Sequence, residues 1–414
     1  MESKRLTRFI VIGLVLGIAS GFVCFQFFPR DSASFSSIVS LAPIAFLRLI
    51  KMIIAPLVFS TLVVGIAKMG DIAAVGRVGG KALGWFLFAS LISLAIGFAL
   101  VELFEPGRAM ALSIPAADAT SGVAASELSI KTFIEHMIPT SILDAMSRNE
   151  ILQIVVFAVF FGTAMAALGE RAAIVITVLD AISHIMLKVT SYVMLFAPLA
   201  VFGALASTVA NQGLRIVGVY GVFIGEFYLG LLVLAAVLIG LGRLVIGKRV
   251  MALMRRIREP AILAFSTASS EAAYPKTLEE LERFGCSNRV ASFVLPTGYS
   301  FNLDGSMMYC AFGVMFIAQA YGIELSFGQQ ILLLAVLMVT SKGIAGVPRA
   351  SLVVIAATLI QFDIPEAGLI LLIGIDQFFD MGRSAMNVLG NSIATAVVSK
   401  WEGELTPEAD TTQS

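Results

Sequence analysis

The chain has 414 residues and no net charge; 58% are hydrophobic, 14% are charged, and the mean hydropathy is +0.94. Soluble domains carry about 25% charged residues, so a large soluble domain is excluded and the chain reads as an all-α polytopic membrane protein. The zero net charge by itself names no partner, and no nucleic-acid partner is expected.

The start, Met1-Glu2-Ser3-Lys4-Arg5, leads into an apolar stretch at 8–28 that runs on through Phe25-Gln26-Phe27-Phe28. A signal peptide would be shorter and end in a small-residue cleavage motif. The stretch is therefore a first spanning helix, and Lys4, Arg5 and Arg8 place its start in the cytoplasm. Further long apolar segments lie at 41–69, 82–104, 150–168, 173–210, 217–246, 288–320 and 366–399. Two more, 251–284 and 326–361, are interrupted by small and polar residues. Cationic clusters fall at Lys68/Arg77/Lys81, at Lys248/Arg249/Arg255/Arg256/Arg258 and at Lys276/Arg283/Arg289. They share one side with the N-terminus if the interrupted segments are re-entrant hairpins. That arrangement gives eight transmembrane helices plus two re-entrant helical hairpins, with both termini cytoplasmic. Cys24, Cys286 and Cys310 lie in or beside apolar segments, so no disulfide framework is expected. His136 and His184 are far apart, which gives a His/Cys metal site little support.

The hairpins have a physical basis. Ser266-Thr267-Ala268-Ser269-Ser270-Glu271 sits between two arms, each too short to cross a core of about 30 Å. Residues 326–361 repeat the design around Ser341-Lys342-Gly343-Ile344-Ala345-Gly346-Val347-Pro348-Arg349. Irregular backbone at membrane depth is tolerated only where it is buried or lines a cavity. Two interrupted segments, each followed by a long helix, point to an inverted-repeat transporter; the competing reading is a pair of surface loops. A further break, Asn302-Leu303-Asp304-Gly305-Ser306, interrupts 288–320. Unwound carbonyls and Asp304 there would offer oxygen ligands to a small hard cation, unless the break is only a kink with a capped polar turn.

The last apolar segment carries Asp376, Asp380, Arg383, Asn387 and Asn391. On a helix these five fall within an arc of roughly 80°. Charges at membrane depth cost several kcal/mol unless paired or wetted, so the stripe must face protein or a water-filled cavity. An Arg and two Asp on one face suit a small zwitterionic or anionic ligand.

These four motifs, Ser269-Ser270-Glu271, Asn302 to Ser306, Gly343 to Pro348 and Asp376 to Asn391, occur in this order. Together they resemble the dicarboxylate/amino acid:cation symporter family of glutamate/aspartate transporters, and most of all its bacterial proton/sodium–glutamate symporters. The resemblance covers nearly the whole chain. It implies a multi-pass protein of the cell inner membrane, a homotrimer, and an elevator movement of a transport domain against a scaffold. By resemblance, 1–81 holds the first two helices, with 41–69 in the scaffold. Segment 82–104 is a transport-domain helix, and 150–246 holds helices four to six, mostly scaffold but with the sixth in the transport domain. Residues 251–399 form the transport core, and 403–414 is a flexible cytoplasmic tail.

The resemblance also assigns roles. Arg383 would grip the substrate's side-chain carboxylate, Asp376 would orient that arginine, Asp380 would take the α-ammonium and Asn387 the α-carboxylate. Ser306 and Ser384 would add hydroxyls, and Ser269, Ser270 and the backbone of Ala345, Gly346 and Val347 would close over the ligand. No bound cofactor is implied, only a co-transported cation, Na+ and/or H+. Its ligands would come from Ser90, Gly298, Ser300, Asn302, Asp304, Ser341, Ile344, Asn387 and Asn391. Two family ligands are altered: Asn391 stands for a late Asp, and Ala89 for a Thr, which weakens a sodium site. Glu271 is the proton candidate, with a hairpin-tip cap as its alternative role. Arg349 is unusual for the family; it would lie near Asp380 or face water.

Asp380 favours L-glutamate or L-aspartate, since relatives that carry C4-dicarboxylates lack an acid there; a C4-dicarboxylate:cation symporter is the alternative. A transporter, not an enzyme, is expected. An aspartyl hydrolase pairing Asp304 with an Asp of the last helix lacks a Gly-x-Gly-Asp motif, and Arg383 would keep both acids ionised. An anion channel would not need paired hairpin gates or Asp380.

Overall fold

The computed structural model describes residues 2–69, 72–109, 115, 134–135, 137–212, 215–340, 350–373 and 375–406. Among them, regular structure is helical apart from a single antiparallel bridge, Cys286–Leu405. The principal helices are α1 (Glu2–Phe27), α2 (Leu41–Met69), α3 (Ile72–Phe104), α4 (Ile151–Leu168), α5 (Ala173–Val193), α6 (Ala197–Gln212) and α7 (Arg215–Ile246). They continue with α8 (Val250–Thr267), α9 (Ser270–Phe284), α10 (Asn288–Phe301), α11 (Asp304–Ala320), α12 (Phe327–Thr340), α13 (Ala350–Gln361) and α14 (Asp376–Trp401). Six stretches of the described residues are long and apolar enough to cross a membrane. The protein is an all-α polytopic membrane protein.

Several expected boundaries shift for identifiable reasons. The segment 173–210 divides into α5 and α6 at a 3-10 turn, Met194–Phe196. Pro198 stands in the first turn of α6, where its missing N–H costs least. The third helix begins at Ile72 rather than at 82, so Arg77 and Lys81 are helical residues. Hydropathy alone misses this polar extension. The expected segment 366–399 is a short helix, Leu369–Ile373, followed by α14 from Asp376. The tail expected from 403 onward is held in part, because Gly403–Thr406 pack on the chain through hydrogen bonds described below.

Both interrupted segments appear as paired helices. α8 and α9 pack on each other, as do α12 and α13. The turn of the first pair is two residues long. Ala268 takes a left-handed conformation (φ 49°) and donates its N–H back to α8, and Ser269 accepts the Ala272 N–H at 3.3 Å. Ser269, not Glu271, is therefore the cap of α9: a short hydroxyl reaches the orphan amides of the first turn. The second tip, 341–349, lies outside the described residues, and with it Ser341, Ile344, Ala345, Gly346, Val347 and Arg349.

Packing sorts the helices into two groups. α1 lies on α6, and α2 lies on α4, α5 and α6. α14 contacts α7, α8, α9, α10 and α11, while α3 lies against α7, α10 and α11. The groups meet chiefly where α2 and α4 touch α10, where α2 touches α9 and where α6 touches α8. Burial follows this division. The most apolar window of Asn288–Ala320 is 83% buried inside the protein, against 28% for Arg8–Phe27. The broken helix is thus wrapped by protein, which is what its polar break requires. An aromatic cluster packs this interior: Phe223 stacks on Phe316 with centroids 4.2 Å apart, and Phe227 lies edge-on to Phe379 at 4.7 Å. Such pairs contribute about 0.5–1.5 kcal/mol each beyond area burial.

Candidate functional site

The stripe of α14 faces inward. Asp376, Arg383, Ser384, Asn387 and Asn391 are buried, and Asp380 is the partly exposed member, with 34% of its side chain accessible. Arg383 is 2% exposed. Its Nη2 lies 3.1 Å from Asp376 Oδ1 and 3.0 Å from Asp380 Oδ1. Asp376 is the first residue of α14, where the helix dipole also favours a carboxylate. The Arg383 guanidinium lies over the ring of fully buried Tyr309, 4.2 Å from its centroid. A buried guanidinium held by two carboxylates and an aromatic face is fixed in orientation. Its Nε and Nη1 have no hydrogen-bond partner among the described residues. Two unpaired donors on a fixed cation suit a carboxylate oxygen. Tyr309 was not singled out from the sequence; its place within the first two turns after the break was the available signal.

Asn387 does more in the protein than its expected ligand role requires. Its Oδ1 accepts the Gly305 N–H at 2.9 Å and the Ser306 N–H at 3.4 Å, and its Nδ2 donates to Ser306 Oγ at 3.2 Å. α14 thereby caps the orphan amides at the start of α11 across the helix break. The break itself is Asn302 and Leu303, narrower than the interruption Asn302–Ser306 read from the sequence, because Asp304, Gly305 and Ser306 already form the first turn of α11.

Beside the break is a second polar cluster. Asn302 Nδ2 donates to Asp304 Oδ2 at 2.9 Å and to Asn391 Oδ1 at 3.1 Å. Ser93 of α3 donates to Asp304 Oδ1 at 3.3 Å. Ser300 Oγ and Asn302 Oδ1 are buried without a hydrogen-bond partner among the described residues. α3, α10, α11 and α14 thus converge on a set of hard oxygens that includes one carboxylate, a donor set that fits a small cation. Close approach is built in. A Cβ at Gly390 would overlap Asp304 Oδ2, and one at Gly298 would overlap Asn391 Oδ1. Ser90 is buried on the same helix, and Ser93, one turn further on, touches Asp304. Sequence reasoning missed Ser93 because a hydroxyl on an apolar helix has no motif of its own.

The first hairpin tip meets α10: Tyr299 donates its hydroxyl to Ser270 O at 3.0 Å, and Tyr299 lies edge-on to Tyr274 at 5.5 Å. Ser269, Ser270 and Glu271 are each partly buried at this tip.

The model of the sodium:dicarboxylate symporter family matches residues 6–401. The chain belongs to this family. A C4-dicarboxylate transport protein of Laribacter hongkongensis (strain HLHK9) is 38% identical over 98% of this chain and 92% of its own. A proton/sodium-glutamate symport protein of Bacillus caldotenax is 41% identical over 96% of this chain and 95% of its own. One from Geobacillus stearothermophilus is 40% identical over 96% and 95%. The protein is therefore a cation-coupled membrane symporter of small molecules and not an enzyme. Relatives of similar identity bear names for two substrate classes.

Proposed function

We propose that the protein takes up an acidic amino acid, L-glutamate or L-aspartate, with Na+ and/or H+. The observation that carries this is the partly exposed Asp380 carboxylate beside Arg383, with Asp376 behind it. Two carboxylates around one guanidinium leave a net negative charge. A C4-dicarboxylate brings two more negative charges to that field. An acidic amino acid brings an ammonium that Asp380 can hold, while its carboxylate takes the unpaired donors of Arg383. By the family resemblance, Ser306, Ser384 and the first hairpin tip would border this space. The names of relatives such as the Laribacter protein favour the dicarboxylate reading, and Asp380 opposes it.

The cation would be held by Ser93, Ser300, Asn302, Asp304 and Asn391, with Glu271 as a proton carrier. The α1, α2, α4–α6 group would be the scaffold of a homotrimer. The α3, α7–α14 group would be the transport domain that moves against it as an elevator. Both termini would be cytoplasmic, and the location the cell inner membrane. Radiolabelled L-aspartate, L-glutamate and succinate uptake into proteoliposomes, with sodium and proton gradients imposed separately, tests the reading. Saturable amino acid uptake that excess succinate does not inhibit supports it; succinate uptake without amino acid uptake overturns it.

A further inference from the structure

The residues just after α14 join the ends of helices that are remote in sequence. Glu402, with a side chain 2% exposed, receives Arg77 Nε at 3.1 Å and Lys81 Nζ at 2.6 Å from α3. Lys81 also donates to Trp401 O at 2.9 Å, and the Trp401 ring lies edge-on to Trp85 at 5.9 Å. Glu404 Oε2 accepts Ser287 Oγ at 2.5 Å and Arg289 Nε at 3.1 Å, both from the start of α10. Arg289 pairs with Glu404 through a second nitrogen as well. Thr406 donates its N–H to Gly285 O at 2.9 Å, beside the Cys286–Leu405 bridge. Arg249, where α8 begins, donates to Phe284 O at 3.0 Å and Thr406 O at 2.7 Å. Gly285 has φ 108°, and a Cβ there would overlap Thr406 O, so the segment lies as close as a glycine permits.

The helices joined here carry the candidate cation ligands further along: Ser93 in α3, twelve residues beyond Lys81, Ser300 at the end of α10 with Asn302 just past it, and Asn391 in α14, ten residues before Trp401. Thirteen helical residues separate Ser287 from Ser300, a lever of about 20 Å at 1.5 Å per residue. A tilt of about 5° at the base moves the far end of such a helix by roughly 1.7 Å. Oxygen ligands of a hard cation hold their distances within a few tenths of an ångström. A loose base therefore spoils the site before it unfolds the helix.

We propose that residues 401–406 are a clasp that fixes the bases of α3, α10 and α14, with Glu402 and Glu404 as positioning residues that set the affinity for the co-transported cation. The proposal rests on the reading of Ser93, Ser300, Asn302, Asp304 and Asn391 as the cation site. It separates from a purely structural role, because removing a clasp that only adds stability lowers the melting temperature without changing cation dependence.

The test is uptake into proteoliposomes by the wild type, Glu404→Gln, Glu404→Asp, Glu402→Gln and Ser93→Ala. Sodium is titrated at fixed pH, and protons are titrated without sodium. The half-saturating cation concentration is expected to rise about fivefold or more in Glu404→Gln and Glu402→Gln. Maximal rate at saturating cation should stay within about twofold of wild type, and Glu404→Asp should recover part of the affinity. Ser93→Ala should raise the same half-saturation. A raised value in Ser93→Ala beside unchanged values in both glutamine variants overturns the clasp. Unchanged values in Ser93→Ala and the glutamine variants overturn both the site and the clasp. Raised values in the glutamine variants with Ser93→Ala unchanged reject Ser93 as a ligand and keep the clasp.

Discussion

Replacing Asp380 with Asn is the sharpest test of substrate class. The side chain keeps its size and loses its charge. Asp380 lies 3.0 Å from Arg383 Nη2 and is 34% exposed, so it is within reach of both the guanidinium and a ligand. A ligand ammonium at about 4 Å interacts with a carboxylate by roughly 4 kcal/mol at an effective dielectric of 20. Desolvation of both groups offsets much of this, and a hydrogen bond to a charged group contributes about 1.5–3 kcal/mol net. Asp380→Asn should therefore raise the KM for L-aspartate about 10- to 150-fold. It also takes the Asp376–Arg383–Asp380 group from net negative to neutral, so succinate should inhibit more strongly than it does in the wild type. The assay is competition of labelled L-aspartate uptake in proteoliposomes at saturating cation. An aspartate KM within twofold of wild type, with succinate inhibition unchanged, would refute the argument that Asp380 holds an ammonium.

Other consequences follow from the same geometry. Arg383→Gln removes the cation that buried Asp376 and partly exposed Asp380 share; substrate uptake should fall below detection while the purified protein still folds with a lowered melting temperature, read by thermal unfolding in detergent. Gly390→Ala places a methyl against Asp304 Oδ2. Overpacking of this kind costs about 1–3 kcal/mol, and it should appear as a 5- to 150-fold rise in half-saturating cation with a smaller change in substrate KM. Glu402 gives a pH signature. Burial pushes its carboxyl up, but the hydrogen bonds and charges of Lys81 and Arg77 outweigh this and hold it below its ordinary 4.5. A carboxyl lowered on folding adds stability that is complete above the unfolded value and disappears as pH falls through the folded one. The wild type should thus lose melting temperature below about pH 4.5 more steeply than Glu402→Gln, and parallel curves for the two proteins would remove the ion pairs from the account.

Much of this protein is decided by its sequence alone. Apolar runs of spanning length have no soluble solution, so α2, α4 and α7 were legible within two residues of their ends. Break residues were legible too: Asn302 and Leu303 leave the helix where polar side chains and Gly305 interrupt the apolar run. The stripe on α14 was readable because an α-helix fixes angular spacing, and charges at membrane depth have to face inward. Where a helix continued beyond its apolar part, as α3 does from Ile72, hydropathy gave no signal. Contacts between remote segments were decided by tertiary structure. Ser93 meets Asp304 across 211 positions, and Asn387 caps α11 from 82 positions away. Glu404 looked like a tail residue until Ser287 and Arg289 were found against it. Local patterns encode helices and their faces, because those depend on neighbours three or four residues apart. Which faces meet depends on packing the whole chain, and both the cation cluster and the clasp are products of that packing.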